Sequence, residues 1–226
     1  MDTSVALVQA YLHVNGYFTV AEYPVLEAFQ GDHARTVTDL DILAFRFGGA
    51  GHEVIGGRRQ QARLKRGTET DSLLRCPSER PDMIVGEVKE GVARFNDAMR
   101  DPAVLEIALA RFGCCAPEHV TGVVRQLLSQ GHAIAPGGHS VRMVAFGDVP
   151  DDGRTRTLMT VSMRHVVEFL RRYLREHWDV LRHTQIRDTA FGVLALIEKW
   201  GAHRQTQPMT EKRRRNHGGM RMRRDA

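Results

Sequence analysis

Cysteine is scarce in this chain. Cys76, Cys114 and Cys115 are odd in number and lack C-x-x-C spacing, which argues against both a disulfide framework and a thiolate zinc site. A reducing cytoplasm is therefore expected, with Cys114 and Cys115 plugging a helix end as small apolar groups. No run approaches the roughly 18 apolar residues of a membrane span, so no membrane contact is expected. No basic segment followed by an apolar core opens the chain, so no signal peptide is expected either. His165, His177 and His183 lack a metal-binding spacing such as H-x-x-x-H and are given no role. Gly48-Gly49-x-Gly51 is not followed by Gly-Lys-Ser/Thr and is no phosphate loop. No internal repeat is present.

What is there suits one globular domain with appendages: 226 residues, 42 % of them hydrophobic. Charge is unevenly placed. Residues 209–226 hold seven Lys/Arg, among them Arg213, Arg214 and Arg215, against Glu211 and Asp225. That balance of +5 equals the net charge of the whole chain, so the remainder is neutral. A Gly- and Arg-rich tail of this kind cannot bury a core and is expected to be disordered. It could hold nucleic-acid phosphates, or be a solvated end without a role.

Hydrophobic spacing predicts a first helix over Thr3 to Val14, capped by Asp2 or Thr3 and stopped by Asn15-Gly16. Tyr17 to Phe29 reads as a strand interrupted by Pro24, with Glu22 and Glu27 as edge salt-bridge formers and, as the alternative for Glu22, a displaced acidic partner of a functional site. Two helices follow residue 100, from Asp101-Pro102 to Phe112 and from Pro117 to Gly131. Strands are predicted over Ser140 to Phe146 and Thr155 to Val161. Ser162 then caps a long helix to Leu181, and Asp188 caps a last one ending at Gly201.

The stretch Pro81 to Gly91 organises the rest. An apolar run, Met83 to Val85, ends in Glu87-x-Lys89, and Gly91 closes it. Side chains alternate along a strand, so Glu87 and Lys89 share one face while Val88 points the other way. A carboxylate and an ammonium at the end of a buried strand are costly to desolvate, which points to a metal and its attacking water. Alone the tripeptide is a weak signal: 27 acids and four lysines in 226 residues give about half a chance match.

Context comes from Val37 to Phe47, where Asp39 and Asp41 share a face ahead of an apolar run. Antiparallel pairing of this strand with the 83–90 strand would bring Asp41 beside Glu87, with Lys89 alongside. Two carboxylates and a lysine suit an oxygen-ligated Mg²⁺ (or Mn²⁺), which keeps several waters and takes only one or two protein carboxylates.

On these residues the chain resembles the PD-(D/E)XK nuclease superfamily, which includes restriction endonucleases and Holliday-junction resolvases. The likeness covers roughly residues 3–91 closely and the next helix and strand loosely. It implies Asp41 and Glu87 as metal ligands, with the Val88 carbonyl completing the shell, and Lys89 orienting the attacking water. The literal Pro81-Asp82 has the wrong strand parity and is read as a decoy. Many members carry a glutamate on the first helix; here no acid stands between Thr3 and Ala21, which leaves Gln9 or His13 for that place. Between the two site strands, Arg58, Arg59, Arg63, Lys65 and Arg66 crowd a long Gly-punctuated segment that could track a nucleic-acid backbone.

The architecture expected is α/β, a restriction-endonuclease-like mixed sheet flanked by helices. Residues 1–160 would form the core, 161–204 helices packed on it, and 205–226 the basic tail. The activity implied is Mg²⁺-dependent hydrolysis of DNA phosphodiesters, with nucleic acid as partner and a homodimer left open. The alternative is a catalytically inactive nucleic-acid-binding or protein-interaction module on the same fold.

Overall fold

The first helix, α1 (Thr3–Val14), starts where Asp2 accepts the Ser4 N–H at 2.7 Å, and leaves through Asn15-Gly16. Val5, Val8, Tyr11 and Leu12 are buried, which lays α1 against the sheet. The coordinates are a computed structural model that describes residues 2–29, 33–50, 54–55, 63–64, 70–149, 158–182, 186 and 188–205.

Strands β1 (Phe18–Phe29) and β2 (His33–Arg46) pair antiparallel. The break expected at Pro24 does not occur. β1 is the outermost strand, where a missing N–H costs no ladder bond, and Pro24 stands opposite Asp39. The irregularities fall instead at Glu22, with φ 51°, and between Val25 and Leu26. Strands β3 (Val54–Ile55) and β4 (Arg63–Leu64) form a separate small ladder. A 3₁₀ turn at Ser72–Leu74 precedes β5 (Asp82–Val92).

Helices α2 (Pro102–Arg111) and α3 (Pro117–Gln130) follow, each opened by a proline at its first position. Asp101 caps α2 through the Ala103 N–H at 2.9 Å, and Gly131, at φ 75°, ends α3. A short strand not anticipated from the sequence, β6 (His132–Ile134), then hairpins into β7 (Ser140–Asp148). Next come β8 (Met159–Ser162), α4 (Met163–Glu176), α5 (Trp178–Leu181) and α6 (Thr189–Gln205). Thr155 to Thr157 of the expected strand lie outside the described residues. The single helix expected over Met163 to Leu181 breaks at His177, and the last helix runs past Gly201 to Gln205.

The main sheet has the order β1-β2-β5-β7-β6, with β8 pairing the second half of β7. β7 runs parallel to β5 and β8 parallel to β7, while the other pairs are antiparallel, so the sheet is mixed. Parallel neighbours need a crossover, and α2 and α3 provide it. β5 is central, and residues 82–88 are all buried, as a strand covered on both faces requires.

Its even residues, Ile84 and Val88, pack with Tyr11 of α1, Leu170 of α4 and Leu194 of α6. The odd residues, Met83 and Val85, pack with Leu105 of α2 and Leu127 of α3. The molecule is thus an α/β structure with helices on both faces of a mixed sheet. The helices after residue 160 share one apolar cluster with the sheet. α6 also leaves Val193, Leu196, Ile197 and Trp200 exposed on its outer side. Among the described residues no helix is long and apolar enough to cross a membrane.

Candidate functional site

The ladder between β2 and β5 runs from Arg46↔Asp82 to Ile42↔Gly86 and ends there. Beyond it the Val88 N–H donates to the Asp41 side chain, Oδ2 at 2.7 Å. The cause is a local roll of β2. Ile42 joins the α1-side cluster and Leu40 the α2-side cluster, although residues two apart share a face in a regular strand. On the neighbouring strand Glu22, between the paired residues Ala21 and Tyr23, has the left-handed φ of 51°. Asp41 therefore reaches the end of β5 as expected, by way of a kink rather than a straight register.

Glu87 projects from β5 onto the same region and has no solvent exposure. Its Oε1 is bonded by the Lys89 ammonium and by Asn96 Nδ2, the latter at 2.9 Å. Its Oε2 is buried and has no hydrogen-bond partner. Lys89 Nζ lies 4.0 Å from Asp41 Oδ2. The Lys89 and Asp41 side chains are 33 % and 25 % exposed against 0 % for Glu87, so the group opens to solvent on their side.

Burial pushes the Glu87 carboxyl above its ordinary value, and the charge of Asp41 pushes the same way. The bonds from Lys89 and Asn96 oppose this and do not cancel it. A buried carboxylate oxygen without a donor is costly, at about 1–3 kcal/mol for a polar group and more for a charged one. A cation would relieve that cost. Among the described residues no group of three or more His, Cys, Asp or Glu side chains gathers to hold a metal. The donors on hand, the carboxylates of Asp41 and Glu87, fit a hard ion that keeps much of its water.

Other residues singled out from the sequence fall elsewhere. Gln9 Nε2 donates to Thr19 Oγ1 at 2.9 Å, and the His13 ring contacts the same oxygen at 2.7 Å. Both belong to α1, which covers the face of β5 opposite to Glu87, so neither joins the three. Asp82 lies at the start of β5, bonded to Arg142 at 2.9 and 2.5 Å and to the Tyr17 hydroxyl at 2.5 Å. Its place is a buried structural ion pair. Glu27 pairs with Arg35 at 3.0 Å, while Glu22 accepts the Asp2 N–H at 2.9 Å. Arg63 is in β4; Arg58, Arg59, Lys65, Arg66, Arg213, Arg214 and Arg215 lie outside the described residues.

Sequence reasoning missed three polar anchors. Arg142 carried a usable signal, since a lone cation inside the apolar run Val141 to Phe146 demands a carboxylate. His165, given no role, bonds the buried Asp71, which also accepts from the Tyr11 hydroxyl at 2.8 Å. Asn96, nine residues beyond Glu87, carried no local signal at all. Compared with protein-family models, curated proteins and solved structures, the chain matches none.

Proposed function

We propose that this protein is a Mg²⁺- or Mn²⁺-dependent nuclease with a restriction-endonuclease-like core. The observation that carries the reading is the fully buried Glu87, with one oxygen unpartnered, beside Lys89 and Asp41. The element order supports it. An N-terminal helix, the antiparallel strands β1, β2 and β5, a helical crossover and β7 parallel to β5 follow the order implied by the resemblance to PD-(D/E)XK nucleases, with β6 and the β3-β4 ladder as additions.

In this reading Asp41 and Glu87 hold the ion, with the Val88 carbonyl as a third oxygen. When bound, the ion lowers the pKa of water and neutralises charge on a phosphodiester. Lys89, the most exposed of the three side chains, orients the attacking water and stabilises charge developing on the phosphate. The basic residues at 58–66 and 212–224 would hold the nucleic-acid backbone without reading its sequence.

The test is a panel of labelled single- and double-stranded DNA and RNA with Mg²⁺ or Mn²⁺, a chelator serving as control. Chelator-sensitive cleavage that disappears in Glu87→Gln supports the reading; cleavage that survives both removes it. Two observations favour a second reading, a catalytically silent binding module. Among the described residues the α1 side of the sheet supplies no carboxylate to the site, and α6 exposes Val193, Leu196, Ile197 and Trp200, as a partner-binding helix would. Nucleic-acid binding without cleavage, or sedimentation with a protein partner, would single it out.

A further inference from the structure

Between Glu87 and α2 the chain does not wander. Val88 pairs with Phe146 on β7, and beyond it Ala93 N–H donates to the Asp148 carbonyl at 2.9 Å. At Gly147 a Cβ would fall 2.6 Å from the Gly91 carbonyl oxygen and 2.9 Å from Ala93 N, so the segment lies directly on the β7 backbone. No side chain other than hydrogen fits there. Phe95 and Met99 are both buried in the α2-side core. Asn96 stands between these two anchors, and its Oδ1 accepts the Met99 N–H at 2.7 Å. With Oδ1 engaged, the amide plane has its donor end on Glu87 Oε1 at 2.9 Å. Lys89 holds that same oxygen, and Oε2 is left over.

We propose that Asn96 is a positioning residue: clamped to the core by its own side chain, it grips Glu87 Oε1 and so presents Oε2 to the metal. The proposal rests on the metal reading above and adds to it the residue that orients the ligand. A carboxylate on a strand end has two free side-chain torsions before its plane is set. A donor with a fixed origin removes that freedom without touching the ion, as outer-shell partners of metal ligands do. Lys89 cannot do this alone, because a flexible four-carbon stem carries a point charge and imposes no plane. The loop on Gly147 gives Asn96 its fixed origin.

The experiment is Mn²⁺ titration of the full chain by calorimetry, with thermal melting of each variant. The variants are Glu87→Gln, Asn96→Ala and Asn96→Ser, and no substrate is present. Serine keeps a short acceptor for the Met99 N–H but has no amide to reach Glu87. The expected result is Mn²⁺ binding that is lost in Glu87→Gln and is about 10-fold weaker or more in both Asn96 variants. The melting temperature of Asn96→Ser should stay at the wild-type value. Mn²⁺ binding lost in Glu87→Gln but unchanged in the Asn96 variants overturns the positioning role and leaves the metal reading standing. Equal binding by wild type and Glu87→Gln overturns the metal reading, and this proposal with it. Weaker binding in Asn96→Ser accompanied by a matching fall in melting temperature would reduce Asn96 to a folding residue and also overturn the role.

Discussion

Three acidic side chains of this chain, Asp41, Asp82 and Glu87, look interchangeable on paper and are held in quite different ways. Asp82 has no exposure and is held by Arg142 and Tyr17. Removing one partner of such a buried pair costs about 3–5 kcal/mol. Asp82→Asn should therefore lower the urea midpoint sharply while leaving cleavage per folded molecule unchanged. Asp41→Asn and Lys89→Ala should do the reverse: metal-dependent cleavage abolished in a gel assay, with the folded far-UV spectrum kept. Full cleavage by Asp41→Asn would overturn its role. A fourth carboxylate, Asp71, serves stability through pH. Burial by itself raises its pKa, but the bonds from His165, the Leu73 N–H and Tyr11 outweigh this and hold it below 3.8. A group depressed on folding contributes its stability in full above the unfolded value and loses it as pH falls through the lower folded value. Urea melts from pH 2 to 7 should show wild type losing stability below about pH 4 more steeply than Asp71→Asn. At pH 7 the variant should be less stable by about 1–3 kcal/mol.

The elements owe their ends to short polar devices. Asp101 is exposed and its side chain serves the first turn of α2, so Asp101→Ala isolates a cap. The expected cost is about 1 kcal/mol in a denaturant midpoint, with cleavage untouched. Gly147 acts differently, through the space it leaves for the Gly91–Ala93 backbone. Most elements were legible because their signals are local: Asp101-Pro102 at α2, Pro117 and Gly131 around α3, and Ser162 before α4 each satisfy or remove a backbone group nearby. Pro24 misled for a matching reason. A proline breaks an inner strand and is tolerated on an edge, and edge position belongs to the sheet rather than the strand.

At the scale of the molecule, the helices after residue 160 are part of the core. Leu170 and Leu174 of α4 share a cluster with Ile84 and Phe146 of the sheet and are fully buried. Leu170→Ala should cost about 2–5 kcal/mol in a urea melt, as a core truncation does, and much less if α4 merely rested on a finished domain. Charge is divided the other way. The net +5 resides in residues 209–226, which share no residue with the Asp41–Glu87–Lys89 group. Truncation after Pro208 should weaken nucleic-acid binding and flatten the slope of log K on log salt by about 0.9 for each duplex phosphate that the tail neutralises. Filter binding at several salt concentrations measures it, and an unchanged slope would leave the tail without that role.

By itself the sequence determined the α/β class, most element boundaries, and the meeting of Asp41, Glu87 and Lys89. Each of these follows from spacing within ten or so residues, or from one antiparallel pairing that apolar runs already favour. Only the tertiary structure decided that Asp41 arrives through a rolled strand, that Asp82 belongs to Arg142, and that Gln9 and His13 stand on the far face. Only it placed Asn96 on Glu87. The reason is physical. A buried polar atom must find a donor or acceptor, and which residue supplies it depends on elements brought together by packing, far apart in the chain.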